Sequence, residues 1–404
     1  MTPTPTIAPT HPFGWPGSVG LDRCPFMPTF PPPPVMFERG RGTELFDVGG
    51  RRYLDFLTGI AVVSLGHCHP TVADAIAEQA RTLAHVSNYF TNPVTPQVAV
   101  KLDQLLGGGG QVFFTNSGAE ANECAIKLAR RWGGGEHGRW QVVSAYGSFH
   151  GRTLATLAAT GQPSKHEPFQ PLPPGFRHVA WADVDDLERA IDDTVAAVLL
   201  ETVQGEGGVN PAPAGYLSDV RRLCDERGVL MIVDEVQTGL GRTGRWFGID
   251  HDGVRPDVVT MAKALGNGMP IGACWARADV AAAFQPGDHG TTQGGNPLAA
   301  AAALATLKVM ETEAVPARAA RAGQRLTEAL AAVPGVASVR GRGLLLAAEL
   351  DRPRDAKALW GSCLEAGLVT NAITPTALRF TPPLLVSDDE MDEAVEILSR
   401  VMQA

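Results

Sequence analysis

A chain of 404 residues with 44% hydrophobic and 19% charged side chains has ordinary globular composition, and its length suits about two to three domains. The net charge of −9 argues against a general nucleic-acid or anionic-membrane binder, because no field of this sign draws phosphates from a distance; a few local groups can still hold a small anion. Six cysteines without a CxxC pair read as reduced thiols of a cytoplasmic protein, and no apolar run approaches the length of a membrane span.

In chain order, residues 1–27 are rich in Pro, Thr and Gly without a period and read as a flexible arm. Four prolines at 31–34 enforce an extended stretch. Residues 43–48 and 52–56 flank Gly49 and Gly50 and predict a hairpin. A helix over 71–83 leads into alternating patterns, with strands predicted at 112–115, 142–145, 178–181, 195–200, 230–233, 258–261 and 271–275. Helices over 119–132, 185–191 and 217–227 separate several of them. Most of these strands are short, nearly continuous apolar runs, as in a sheet covered on both faces. The class is α/β, with a mostly parallel seven-stranded sheet. A long Ala- and Leu-rich helical region then runs to residue 333 with a break near Pro316. A strand over 343–350, a helix over 355–366, a strand over 378–381 and a closing helix from Asp388 complete the chain. The expected division is an arm (1–27), the N-terminal part of a small α+β domain (28–66), a large domain (67–300) and the C-terminal part of the small domain (301–404).

The chemistry centres on Lys263, just past the run 258–261, and Asp234, which ends the run 230–233. A lysine that must form a Schiff base needs a position where its ammonium can lose a proton, and a pyridinium nitrogen needs a fixed anion. Both suit the carboxyl ends of neighbouring parallel strands, where open α/β sheets place ligands. On these two residues alone, a turn aspartate and a solvated lysine remain equally open. Ser117, Gly118 and Ala119 stand where a strand passes into a helix, so free N–H groups and the helix dipole would hold a phosphate, with the Ser117 hydroxyl beside it. An ordinary N-cap explains Ser117 as well. Phe149 offers a face to a flat ring, and Arg152 a fork for a carboxylate. His150 is read as structural, since Lys263 already supplies a base. Glu206 near Arg379 would neutralise that arginine when no carboxylate substrate is bound and release it when one arrives; spacing leaves two unrelated surface residues open. His67, Cys68 and His69 are adjacent and lack a second cluster, so no metal site is expected.

Several blocks in one order, over residues 30 to the end, resemble the class III aminotransferases, a group of fold-type I pyridoxal phosphate (PLP) enzymes. They are 116–122, 149–153, 204–208, 234–239 with 241–244, Lys263 within 262–266, 289–292 with 294–297, and 379–383. The resemblance implies PLP as cofactor, Lys263 as its covalent partner and proton shuttle, Asp234 at the pyridine nitrogen, Gln237 at the phenolic oxygen and Phe149 as the stacked ring. Glu235 and Val236 fall among the cofactor contacts, and Gly118, Ala119 and Ser117 around the phosphate. It also implies a homodimer with shared sites, Thr292 reaching the phosphate of the other subunit and Thr291 a substrate contact. Residues 59–62, 87–89 and 148–153 are most similar to the acetylornithine aminotransferase subgroup. Within it, Arg152 would hold the α-carboxylate of N-acetylornithine, and Arg152 with Arg379 the two carboxylates of 2-oxoglutarate or glutamate, Glu206 moving aside. Thr202 replaces the usual proline of the Glu-Pro-x-Gln-Gly-Glu block, and Gln293 the usual aromatic after Thr291 and Thr292. Alternatives are ornithine, succinylornithine or 4-aminobutyrate aminotransferases, a glutamate semialdehyde aminomutase, a dialkylglycine decarboxylase, or a PLP-binding protein without activity.

Overall fold

The computed structural model describes residues 26–134, 138–351 and 353–403; the arm expected at 1–27 lies almost wholly outside them. At its centre is a sheet of seven strands: β1 (Gly110–Thr115), β2 (Gln141–Ala145), β3 (Phe176–Val179), β4 (Val195–Glu201), β5 (Leu230–Asp234), β6 (Val258–Met261) and β7 (Gly272–Arg277). Their spatial order is β1-β7-β6-β5-β4-β2-β3. All run parallel except β7, which is antiparallel to both neighbours. Val195–Glu201 and Leu230–Asp234 are buried along their whole length, which is why their sequences are continuous apolar runs rather than alternating ones.

Helices cover both faces. Gly118–Gly133 starts at Ser117, whose hydroxyl accepts the Glu120 N–H at 3.2 Å, and buries Ala121, Ala125 and Leu128. That stripe packs over β6 and β7. Pro297–Thr312 is capped by Asn296 and begins on proline, whose missing N–H costs nothing at a helix start. The expected break near Pro316 falls between Thr312 and Val315, where Ala314 takes a left-handed φ of 49° and Pro316 opens the helix Val315–Ala331.

The hairpin predicted around Gly49 and Gly50 forms from Glu44–Asp47 and Arg52–Asp55. Phe37–Arg41 extends it on one side, and Leu368–Val369, from the far end of the chain, pairs parallel with Arg52–Asp55 on the other. A second antiparallel sheet has the order Val336–Arg342, Leu345–Leu350, Ala377–Phe380, Asn371–Thr374. Arg242, in the loop after β5, ties the regions together: its buried guanidinium donates to the carbonyls of Leu344 and Pro382 at 3.0 and 2.6 Å and to the Ser64 hydroxyl at 3.2 Å. No helix of the described residues is long and apolar enough to cross a membrane.

Several elements depart from expectation. The third strand lies at Phe176–Val179 instead of 178–181, and the strand Val336–Arg342 and the helix Thr95–Leu105 are among those not foreseen.

Candidate active site

The carboxyl ends of β1, β2, β4, β5 and β6 open on one cavity of about 460 Å³. Ser117, Gly118, Ala119, Phe149, His150, Arg152, Glu201, Glu206, Asp234, Val236, Gln237 and Lys263 all line it. Residues 117 to 263 in sequence thus meet at one sheet edge, as parallel strands with crossover helices require.

At one end stands the start of the helix Gly118–Gly133. Its first internal bond runs from Ala121 N–H to Ser117 O at 3.0 Å, so the amides of Gly118 and Ala119 precede the helical ladder and point outward. A Cβ on Gly118 would come within 2.7 Å of Val236 Cγ1, so only glycine lets the turn sit this close to β5's loop. At the other end Asp234 is gripped from three sides. Val236 N–H donates to Oδ1 at 3.0 Å, Asn122 Nδ2 to Oδ2 at 2.7 Å, and His150 Nδ1 lies 2.9 Å from Oδ2. Because an ionised carboxylate only accepts, His150 carries its proton on Nδ1; its buried Nε2 has no partner among the described residues.

Lys263 opens a short turn after β6 with a left-handed φ of 42°, a conformation uncommon for a non-glycine residue and often found at functional sites. Burial and the Arg379 guanidinium lower its ammonium to about 8, outweighing the carboxylates of Glu206, Asp234 and Glu201. Glu201 pairs with Asp234 across β4 and β5. Burial, reinforced by that neighbouring carboxylate, pushes Glu201 well above the usual carboxylate range, although it accepts the Phe149 and Gly205 N–H groups at 3.1 and 3.3 Å.

Arg379, 0% exposed, pairs with Glu206 through Nη1, which also lies 3.3 Å from Gln237 Oε1. Its Nε donates to Asn371 Oδ1 at 3.0 Å, and Nη2 has no hydrogen-bond partner among the described residues. Burial opposes ionisation of Glu206, but the Arg379 guanidinium outweighs it and holds the carboxyl below its usual range. The Arg152 guanidinium carbon lies 5.5 Å from the centroid of the Phe149 ring.

Three predicted residues lie elsewhere. The Glu235 carboxylate turns away from the cavity and accepts N–H bonds from Gly248 and Ile249 at 3.0 and 2.8 Å, with the Thr238 hydroxyl as a third donor. Burial raises it to about 7. Neither Thr291 nor Thr292 lines the Lys263 cavity: Thr291 Oγ1 accepts the Gly294 N–H at 3.1 Å, and Thr292 lines a second hollow of about 190 Å³ with Ser87, Asn88 and Phe90. The sequence reading gave Asn122, Glu201 and Thr260 no part in the site, and it set His150 aside. A polar Asn122 on the otherwise apolar stripe of Ala121, Ala125 and Leu128 was the available signal. Among the described residues, no group of three His, Cys, Asp or Glu side chains is arranged to hold a metal ion. His67 instead bonds Asp55 at 2.7 Å.

A family model described as aminotransferase class-III matches residues 28–402. The chain belongs to the class III aminotransferases. Similar proteins include acetylornithine aminotransferases of Corynebacterium efficiens, 48% identical over 93% of this chain and 94% of that one, and of Gloeobacter violaceus, 50% identical over 91% and 93%. Among solved structures, the ornithine aminotransferase of Toxoplasma gondii superposes with a TM-score of 0.90 at 37% identity, covering 95% of this chain and 93% of that one. The N-acetylornithine aminotransferase of Stenotrophomonas maltophilia does so with 0.81 at 38%, covering 92% and 96%. The cofactor of class III aminotransferases is PLP, and the residues present fit it: an amine of lowered basicity, a locked carboxylate and two outward amides line one cavity.

Proposed function

We propose that this class III aminotransferase moves the δ-amine of N2-acetyl-L-ornithine to 2-oxoglutarate, giving N-acetylglutamate 5-semialdehyde and L-glutamate, as a step of arginine biosynthesis in the cytoplasm. PLP, when bound, supplies an electrophilic carbon and an electron sink. The outward amides of Gly118 and Ala119, with Ser117, would hold its phosphate; Asp234 would face its ring nitrogen, Gln237 its phenolic oxygen and Phe149 its ring face. Lys263, neutral at mildly alkaline pH, would take a proton from the amine-bearing carbon of the donor in the first half reaction and deliver one to the carbonyl carbon of 2-oxoglutarate in the second. Arg152 binds the carboxylate common to both substrates.

The observation that carries the substrate reading is the Arg379 and Glu206 pair. A buried guanidinium with one nitrogen unpartnered among the described residues is masked by its own counter-ion at the cavity's edge. A site built this way accepts an amine donor with one carboxylate while the pair is closed, and a dicarboxylate when Glu206 swings off. Similarity of 44–50% to proteins named acetylornithine aminotransferase supports the acyl group. Thr292, apart from the Lys263 cavity, supports a homodimer in which it serves the partner's site.

The test follows the visible band of the PLP-loaded enzyme in single half reactions with N-acetylornithine, N-succinylornithine, ornithine and 4-aminobutyrate. N-acetylornithine is expected to convert the cofactor fastest; a faster response to ornithine or 4-aminobutyrate would overturn the substrate assignment. Turnover without 2-oxoglutarate would mark an aminomutase, and release of carbon dioxide a decarboxylase.

A further inference from the structure

We propose that Asn122 is a positioning residue for Asp234, and that through it the helix Gly118–Gly133 sets both ends of the cofactor site. The inference rests on the reading of Asp234 as the partner of the cofactor's ring nitrogen.

Asn122 lies four residues after Gly118, so it sits one turn deeper along the helix on the same side. It is 1% exposed, and both of its Nδ2 hydrogens and its Oδ1 are hydrogen-bonded. One Nδ2 hydrogen goes to Asp234 Oδ2 at 2.7 Å and the other to the His150 carbonyl at 2.8 Å, while Oδ1 accepts the Thr260 hydroxyl at 2.7 Å. Thr260 stands directly opposite Asp234 in the register of β5 and β6. The amide cannot turn over, because its oxygen would then face the Asp234 carboxylate and a carbonyl.

An ionised carboxylate offers about four acceptor positions. On Asp234, Val236 N–H occupies one at Oδ1, and Asn122 and His150 occupy two at Oδ2. The remaining position, on Oδ1, is left for a ligand in the cavity that Asp234 lines. Rotation about the Asp234 side chain would break all three bonds of a buried carboxylate, where an unmade bond is expensive. Asn122 is the member of this grip carried by the helix whose first amides form the other end of the cavity. One rigid element therefore fixes the spacing between an anion-binding cup and a carboxylate. The register of Asn122 on that helix, five residues past Ser117, is what the arrangement depends on.

The experiment compares four apoproteins: the parent, Asn122→Ala, Asp234→Ala and the double variant. The dissociation constant for PLP is read by absorbance titration, and the thermal midpoint of each apoprotein is recorded. Asn122→Ala is expected to weaken PLP binding about tenfold in the parent, and by less than about twofold when Asp234 is already Ala, since contacts that act through one another are not additive. The pH midpoint of the bound cofactor's visible band should also move in Asn122→Ala, a change that simple loosening of the helix would not produce. A tenfold loss in both backgrounds would overturn the proposal by showing that Asn122 acts independently of Asp234. Unchanged PLP affinity in Asp234→Ala would instead remove the reading of Asp234 itself. Should Asn122→Ala fail to fold, Thr260→Val replaces it: freeing Oδ1 is expected to weaken PLP binding about threefold, and no change there would overturn the proposal.

Discussion

Lys263 shows how much a single side chain's chemistry depends on its setting. An ordinary lysine, near 10.5, is almost entirely ammonium at neutral pH, whereas burial and Arg379 bring this one to about 8. The neutral amine is the form that attacks an aldehyde, and its fraction grows as pH rises through that value. The rate at which apoprotein captures PLP should therefore climb about tenfold per pH unit below 8 and level off above about 9. A rate still climbing steeply at pH 10 in stopped-flow absorbance would contradict this. Glu206 gives a second expectation at the same scale. Glu206→Gln leaves Arg379 uncompensated, which favours a second carboxylate on the substrate and disfavours donors with one. The ratio of kcat/KM for glutamate over the amine donor should rise by about tenfold, or 1.4 kcal/mol. An unchanged ratio in half-reaction kinetics would mean the pair is not a switch.

At the scale of elements, the turn from β1 into the helix Gly118–Gly133 is set by a close approach. A Cβ at residue 118 meets Val236, so Gly118→Ala must displace the turn or the loop after β5. PLP affinity is expected to fall about tenfold, and Val236→Ala, which clears the space, should restore most of it. Equal loss in the single and double variants, measured by titration, would show that Val236 is not what limits the turn. Elements such as this were legible because their apolar runs are buried on both sides. β6 at Val258–Met261 has the predicted bounds, and the helix at 118–133 exceeds its prediction by a residue at each end. Legibility fails at sheet edges. β3 borders only β2, so Arg177 and His178 interrupt its apolar pattern and shifted the expected strand by two residues. Val336–Arg342, an outer strand with Ser338, Arg340 and Arg342, gave no apolar run at all. In the site, motif residues were visible as types in a pattern. The grip on Asp234 was not, because Asn122, His150 and Thr260 converge only once the strands are side by side.

For the whole molecule, the separation of Thr292 from the Lys263 cavity carries the expectation that active sites are shared between subunits. Two inactive variants, Lys263→Ala and Thr292→Arg, should complement when unfolded and refolded together, because a mixed dimer contains one site with both native residues. Random pairing of equal amounts restores roughly a quarter of the parent activity; no recovery above either variant alone would argue for self-contained sites. The pairing of Arg52–Asp55 with Leu368–Val369 has another outcome, felt during synthesis. Leu54 waits for Leu368, 314 residues later. At the pace of translation, about 5–20 residues per second, that interval lasts roughly 15–60 s. Throughout it the hairpin emerges from the ribosome with a naked edge, so this stretch of the nascent chain is one that a chaperone's cover would protect.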